Sequence, residues 1–464
     1  VRADMPGIRR VFEGIEDRFP FGLILFVFAS ATFLSGLTLT GGMDSDTEET
    51  LTVASFAKFH LLSYQPLVER FEAEHPGVRV KLELVEARSL FQRIFASFMA
   101  DIPGADIVEI EISYVGRFFS GPLEEVGFVD LTDRLRTSGL INEFIPAKLQ
   151  PWSSRGRIFG LPRDVSPVGL LYNREEFEKC GVNPSEIETW EDFHQAGKRL
   201  TRDLNGDGII DTYAIELNDT IADQFHQMLL QRGVDYFGTD GNLRLEEDVV
   251  ADTLAFYLKM ATGPERIGAP FPTLAVTTQA MADRYLLSFF TADWRLGGFR
   301  KDSAIMSGKM ALMPLPAWER GGRRTSTLGG TMMSICKSSL RQDLAWEFVK
   351  MVYTDRRSLL TVYEYTALIP PVKSTWDDPI FQLPDPYLAG QQAGAFYVSL
   401  APQVPPRIQT PFSMGTDTAM GNVLLESCRR CREEGIEYAR RIAAEELHRA
   451  AERIRRQMER NPFL

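Results

Sequence analysis

The sequence predicts an α/β protein whose sheets are mainly parallel. Three observations lead there. Leu51–Phe56, Val78–Val85 and Asp106–Ile112 are short runs of strand character. The stretches between them, Leu61–His75 and Ser89–Met99, place apolar residues at helical spacing. Strand, helix, strand, helix, strand is the order of a parallel α/β lobe, where ligands bind beyond the carboxyl ends of the strands. Those ends are Lys58-Phe59-His60 and Glu111-Ile112-Ser113-Tyr114.

The third observation is Ile158–Gly181. Pro162, Pro167 and Gly169 surround a short polar centre, Asp164–Ser166. Proline fixes its own backbone and biases the preceding residue toward extended geometry. Gly169–Tyr172 then reads as a strand and Arg174–Lys179 as the first turns of a helix. An extended, ligand-facing segment that runs into a strand and a helix is how a chain crosses between two α/β lobes.

The 464 residues suffice for two or three domains and a large core. With 44% hydrophobic and 25% charged residues the chain is not mainly disordered. A net charge of −12 excludes the basic face that a nucleic-acid binder needs. Cys180, Cys336, Cys428 and Cys431 are too few for a disulfide scaffold and leave the compartment open. Cys428-Arg-Arg-Cys431 has redox or half-zinc spacing, but no second pair accompanies it and its context is a charged helix.

At the N-terminus Arg2, Arg9, Arg10 and Arg18 precede an uncharged apolar run, Phe19–Leu39, long enough at about 20 residues to span a bilayer. The basic residues lie before the run, which predicts a cytoplasmic N-terminus and an exported remainder. The run is either an uncleaved anchor, the preferred reading, or a signal peptide cut after Ala29-Ser30-Ala31. Leu37 stands where a lipoprotein signal needs cysteine. Gly41–Glu49 is a polar linker.

Beyond the crossing, Thr189 and Asp192 form a capping-box-like pair at a helix start. Asp203, Asn205, Asp207 and Asp211 then occupy positions 1, 3, 5 and 9 of a loop with Gly208 at position 6, which suits calcium. Ala214 stands where the bidentate glutamate would be, and a solvated Asx-rich turn is the alternative. Ala222–Gly233, Val249–Ala261 and Gln279–Thr291 read as helices, the last bounded by Ala292-Asp293-Trp294-Arg295. Met310–Pro316 leads back toward the first lobe. Thr327–Thr331 contains Gly329 and Gly330, which either let backbone N–H groups approach a ligand or serve a tight turn. Met332–Cys336 reads as a strand, Asp343–Val352 as an amphipathic helix and Ile436–Met458 as a long helix with one apolar stripe. Arg407 could reach a cleft, but is expected at the surface.

Several words of this sequence, in this order, resemble the family-1 extracellular solute-binding proteins of bacterial ABC sugar importers. They are Ala105-Asp106-Ile107-Val108 followed by Glu111 and Tyr114, Gly121–Leu131, Phe159-Gly160-Leu161-Pro162, Leu170-Leu171-Tyr172-Asn173, Thr189–Phe193, Trp294, Ala345–Lys350 and Ile369–Ser374. The resemblance covers roughly Leu51 to Met458. It implies a two-lobed periplasmic-binding-protein fold of type II, with three crossovers near Asp164–Leu170, Met310–Leu315 and Leu368–Val372. The implied boundaries are a cytoplasmic leader at 1–18, an anchor or signal segment at 19–39 and a linker at 40–50. One lobe takes 51–164 with 313–368, and the other 165–312 with 369–464.

The resemblance further implies a carbohydrate held between the lobes, hinge closure, and delivery to the transmembrane subunits of a permease. Trp294 would stack on the apolar face of a sugar, beside Asp293, while Glu111, Asp164 and backbone near Gly329 and Gly330 take its hydroxyls. By position, Lys58, Phe59, Ser113, Tyr114 and Ser166 join that site. The protein is expected outside the cytosol (periplasm or cell surface), anchored by 19–39, monomeric, and without a required cofactor. Calcium at the Asp203 loop would be a structural clip.

The chain contains no H-x-x-x-H pair and no G-x-S-x-G elbow. Ser303 replaces the first glycine of a P-loop ending at Gly308-Lys309. Glu111 and Asp164 could in principle serve a glycosidase, yet acidic side chains also hold sugar hydroxyls without chemistry. Binding without catalysis is therefore expected. A membrane-anchored ligand sensor on the same fold is the alternative, and a carbohydrate-active enzyme the third reading.

Overall fold

The computed structural model describes residues 49–271 and 273–460. The chain divides into a small unit, Val1–Thr50 with His75–Arg79, and a large unit, Leu51–Glu74 with Val80–Leu464. In the small unit the Glu49 amide donates to the Gly77 carbonyl (2.7 Å). The Phe19–Leu39 run lies outside the described residues, and among the described residues no helix is long and apolar enough to cross a membrane.

The strands are β1 (Glu49–Ser55), β2 (Val78–Leu84), β3 (Ile107–Glu111), β4 (Ser153–Ser154), β5 (Arg157–Ile158), β6 (Leu161–Pro162), β7 (Val168–Asn173), β8 (Ile215–Glu216), β9 (Gly268–Ala269), β10 (Ser288–Ala292), β11 (Met310–Pro314) and β12 (Thr331–Ile335). The first sheet runs β2-β1-β3-β12-β6. β1 and β3 are parallel, joined by a long connection that includes β2 and helix Ala87–Ala100, while β12 is antiparallel to β3 and to β6. Leu90 and Ile94 of that helix pack with Val108, Ile110 and Met332 on one face. On the helical layer beside Tyr64 and Phe71, both rings meet Phe348 edge-on.

The second sheet runs β10-β7-β11, with both outer strands antiparallel to β7. Its apolar residues alternate between two cores. Val168, Leu170, Phe290 and Met313 enter one; Leu171, Phe289 and Leu312 enter the other. A strand alternates faces every residue, so a sheet buried on both sides reads as an unbroken apolar run. This is why Gln279–Thr291 misleads as a helix. The helix there is Leu274–Ala282, and the Phe289-Phe290-Thr291 run is β10. Asp293 then opens another helix, Asp293–Asp302.

The return to the first sheet also comes later than Met310–Leu315. β11 pairs with β7, and Thr325 and Thr327 still bond or bridge to Val168 and Pro167. The crossing is made at Leu328–Thr331, where the Gly330 carbonyl accepts from the Ile112 amide. Helices Ser413–Glu434 and Ala439–Glu459 complete the core around the second sheet. Cys428 and Cys431 are buried there as free thiols, and burial first of all raises them to about 12 and about 11, away from redox or metal chemistry.

The Thr189 capping box is present: the Thr189 hydroxyl accepts the Asp192 amide and the Asp192 carboxylate accepts the Thr189 amide. Helix Lys58–Glu74 begins one turn earlier than the spacing suggests, just after the Ser55 hydroxyl accepts the Ala57 amide.

Candidate functional site

A cavity of about 490 Å³ gathers residues from the ends of strands in the first sheet, the second sheet and a small parallel pair, β8 with β9. Glu111 is the last residue of β3, Glu216 the last of β8, and Trp294 follows β10 by two. Arg407 and Asp417 come from the segment leading into helix Ser413–Glu434 and from the helix itself. The placement obeys the rule for ligand sites in α/β sheets.

Trp294 is 39 % exposed. Its indole Nε1 donates to the Leu328 carbonyl (3.0 Å), which fixes the ring at the crossing. A side chain at Gly329 would meet that ring: its Cβ would lie 3.4 Å from Trp294 Nε1, and its φ is +73°. Ordinary contact at that distance leaves room for a Cβ, so glycine serves here for the left-handed backbone.

Glu111 caps the short helix Ile112–Val115 by accepting the Ser113 amide (2.9 Å). Burial pushes its carboxyl above the ordinary range, against the pull of that amide. Arg407 Nη2 stands 3.5 Å from Asp417 Oδ2, and the Asp417 carboxyl is likewise raised by burial. Arg295 holds Glu216 with two contacts, 2.9 and 3.2 Å. The Ile408 amide donates to Asp235 Oδ2 (2.6 Å), which positions the Arg407 segment. A Cβ on Gly116 would lie 2.0 Å from the Thr410 carbonyl oxygen, so the backbones after β3 and after Arg407 are in direct contact.

Of the residues expected in the site, Glu111, Ser113, Trp294 and Gly329 line this cavity; the others do not. Lys58 and Phe59 sit exposed at the start of helix Lys58–Glu74, where Phe59 carries the Lys301 ammonium 4.0 Å above its ring. Tyr114 is stacked on Phe91 (4.8 Å). Gly330 lies against Trp152. Asp164 is 4 % exposed and its oxygens accept from the Ser166 hydroxyl (2.7 Å) and the Thr331 amide (3.2 Å), with Lys148 Nζ at 3.6 Å. Ser166 is wholly buried. Asp293, also wholly buried, accepts the Ile369 amide (2.7 Å) and the Trp294 amide (2.8 Å). These acidic groups tie the chain crossings to one another.

Arg407 is not at the surface; its side chain is 12% exposed and lines the cavity. Glu216, Gln227, Arg295 and Asp417 line it as well and had no signal in the sequence beyond the Trp294-Arg295 pair.

At the Asp203 loop the side chains fold back onto the loop's own amides. Asp203 accepts from Gly206 and Gly208, Asn205 from Asp207, Asp207 from Ile209, and Asp211 from Leu204, at 2.7–2.9 Å. Among the described residues no group of three or more His, Cys, Asp or Glu side chains is placed to hold a metal ion.

Known proteins share this architecture. The family model described as "Bacterial extracellular solute-binding protein" matches residues 61–357. An arabinooligosaccharide-binding protein of Bacillus subtilis (strain 168) is 29% identical over 67% of this chain and 70% of its own length. A lactose-binding protein of Rhizobium radiobacter is 24% identical over 78% and 84%. Among solved structures, the sugar-binding protein MalE from Xanthomonas citri superposes with a TM-score of 0.71 at 17% identity, covering 89% of this chain and 99% of that one. The family match spans more than half of the sequence, and with the five- and three-stranded sheets beside a strand-end cavity it makes this chain a member of the bacterial extracellular solute-binding proteins.

Proposed function

We propose that this chain binds an oligosaccharide outside the cytosol and delivers it, chemically unchanged, to an ABC-type importer. The observation that carries the reading is the half-exposed Trp294 ring set in a cavity that combines apolar side chains, Phe271 and Leu274 among them, with carboxylates, amides and guanidinium groups. A pyranose or furanose needs that combination: a flat apolar surface for its C–H face and hydrogen-bonding groups for its hydroxyls. The names of the relatives, arabinooligosaccharide-binding and lactose-binding, point the same way. Binding without catalysis fits the absence of catalytic motifs in the sequence. The chain acts as a monomer anchored by residues 19–39 in this reading; anchoring also suits a ligand sensor, which a neighbouring kinase or receptor gene in place of a permease gene would favour.

The test is a thermal-shift screen of the purified chain over neutral di- to tetrasaccharides, with and without calcium. A ligand that binds only the folded state stabilises it by about 2.7 kcal/mol at one hundred times its Kd, so a true ligand raises Tm by several degrees. A screen in which no glycan moves Tm would overturn the proposal, and release of product from a bound glycan would replace it with an enzyme. Calcium at Asp203, Asn205, Asp207 and Asp211 is a separate proposal, a structural clip that the calcium arm detects as a sugar-independent rise in Tm.

A further inference from the structure

Resting on the glycan reading above, we infer that the cavity sorts ligands by charge: it admits neutral and amine-bearing glycans and rejects those that carry a carboxylate, sulfate or phosphate. Four carboxylates line the cavity, from Glu111, Glu216, Asp223 and Asp417, against two guanidinium groups, from Arg295 and Arg407. Both cations are engaged. Arg295 is closed on Glu216 by two contacts, and its other amine donates to the Phe290 carbonyl (2.9 Å). Arg407 faces Asp417, with Asp235 behind it already holding His226 (2.7 Å) and the Ile408 amide. Glu111 and Asp223 are left in excess.

The hydrogen-bonding capacity points the same way. Gln227 lines the cavity, is 2 % exposed, and its Oε1 has no donor among the described residues. Its amide nitrogen is already bonded to the Asp223 carbonyl (3.1 Å). Glu111 adds acceptor capacity, since a carboxylate has about four lone-pair sites and the hydrogen bonds recorded for it come from Ser113, its amide (2.9 Å) and its hydroxyl. Arg407 Nε is an unused donor. A hydroxyl answers donors and acceptors alike, and an ammonium answers the acceptors. Of the two cations only Arg407 has a donor to spare for an anionic group, which would share the cavity with Glu111, Asp223 and Asp417. Like charges placed together at a binding surface are a strong means of excluding a wrong partner.

The experiment compares matched glycans on the full chain: neutral galacto- and gluco-oligosaccharides, their uronic-acid counterparts, and their 2-amino counterparts. An array is followed by calorimetry at low and at physiological salt. The uronate should bind at least about tenfold more weakly than its neutral partner at low salt. That gap should narrow as salt shortens the reach of the charges, and the amine should bind at least as tightly as the neutral sugar. Asp223→Asn and Asp417→Asn should each raise the ratio of uronate to neutral binding severalfold, a readout that a general loss of affinity leaves in place. Asp223 is exposed at the start of its helix, so the first variant should fold. A uronate, sulfated or phosphorylated glycan that binds as tightly as its neutral partner overturns the inference and leaves the glycan reading standing. Ratios unmoved in both variants overturn it too. Silence from every class overturns the glycan reading and this inference with it.

Discussion

Two sets of acidic residues sit close together in this molecule and do opposite things. Asp164 and Asp293, at the crossings between the sheets, are almost wholly removed from water, and each accepts two hydrogen bonds from the chain itself. Glu111 and Asp417, in the cavity, are only partly removed from water and keep acceptor capacity in reserve. The residue types are the same. What separates a joint from a binding group is whether the fold has already used its lone pairs. A buried carboxyl whose bonds come from separate segments of the chain holds those segments in place; one that faces a cavity with lone pairs to spare can take a hydroxyl.

The sharpest way to break this contrast is to remove one charge from each region. Lys148 is 3 % exposed, and its Nζ lies 3.6 Å from Asp164 Oδ1 and 3.5 Å from the Thr327 hydroxyl. Burial first of all, and then the charge of Arg407, lower the lysine's pKa, while Asp164 and Asp293 work to keep it charged. Lys148→Met would leave buried acid without its counter-charge, for a loss of about 3–5 kcal/mol in unfolding free energy. In the cavity, Asp417 is 35% exposed in its side chain, and Asp417→Asn should change folding by less than about 1 kcal/mol. Denaturant midpoints of the two variants measure the difference. Equal losses would erase the distinction between joint and binding group.

A second effect sharpens it by pH. Asp293 is raised to about 8, first by burial and then by Asp164, against the two amides and Lys148. Its unfolded value is about 3.9. Between those values the folded state holds a proton that the unfolded state has lost. Stability from this group is therefore full below about pH 4 and falls by about 1.4 kcal/mol per unit as pH rises toward 8. Asp293→Asn should remove that slope. It should also destabilise by about 1–3 kcal/mol at pH 5, because the amide nitrogen cannot accept from Ile369 or Trp294. Tm measured from pH 4 to 8 for both proteins checks the sign; parallel curves would mean that Asp293 stays ionised throughout.

How far the sequence could be read follows the same line. The first sheet and its flanking helices were legible because each strand has a polar break and each helix an apolar stripe, as in Leu51–Phe56 and Ser89–Met99. β10 was not, since an apolar run buried on both faces has no period to tell strand from helix. In the site, Glu111 was legible from its place at a strand end and from the family pattern, and Trp294 from its polar neighbours and the family pattern. Asp293 and Ser166 are as close in sequence but point into the joint, and no local rule gives a side chain's saturation. Arg407 was missed because its burial depends on Asp417 and on the Asp235–Ile408 bond, partners remote from it in the chain or unmarked by any motif.

The finest cut through the comparison is at Trp294, which belongs to both regions. Its indole nitrogen is anchored to the crossing at Leu328, while its ring face is open to the cavity. Trp294→Ala should weaken binding of the best glycan from the thermal-shift screen by about 1–3 kcal/mol, the range for losing an aromatic platform. Its effect on folding should stay below about 1.5 kcal/mol, the scale of the one hydrogen bond removed. Trp294→Phe separates the two roles: it keeps an aromatic face and drops the N–H donor. Calorimetry should find the phenylalanine variant closer to the parent in affinity than the alanine variant, with both showing a similar small loss in Tm. If phenylalanine and alanine bind equally poorly, the anchor to Leu328 matters more than the ring, and the tryptophan is part of the joint. If alanine binds as well as the parent, the sugar lies on another surface of the cavity.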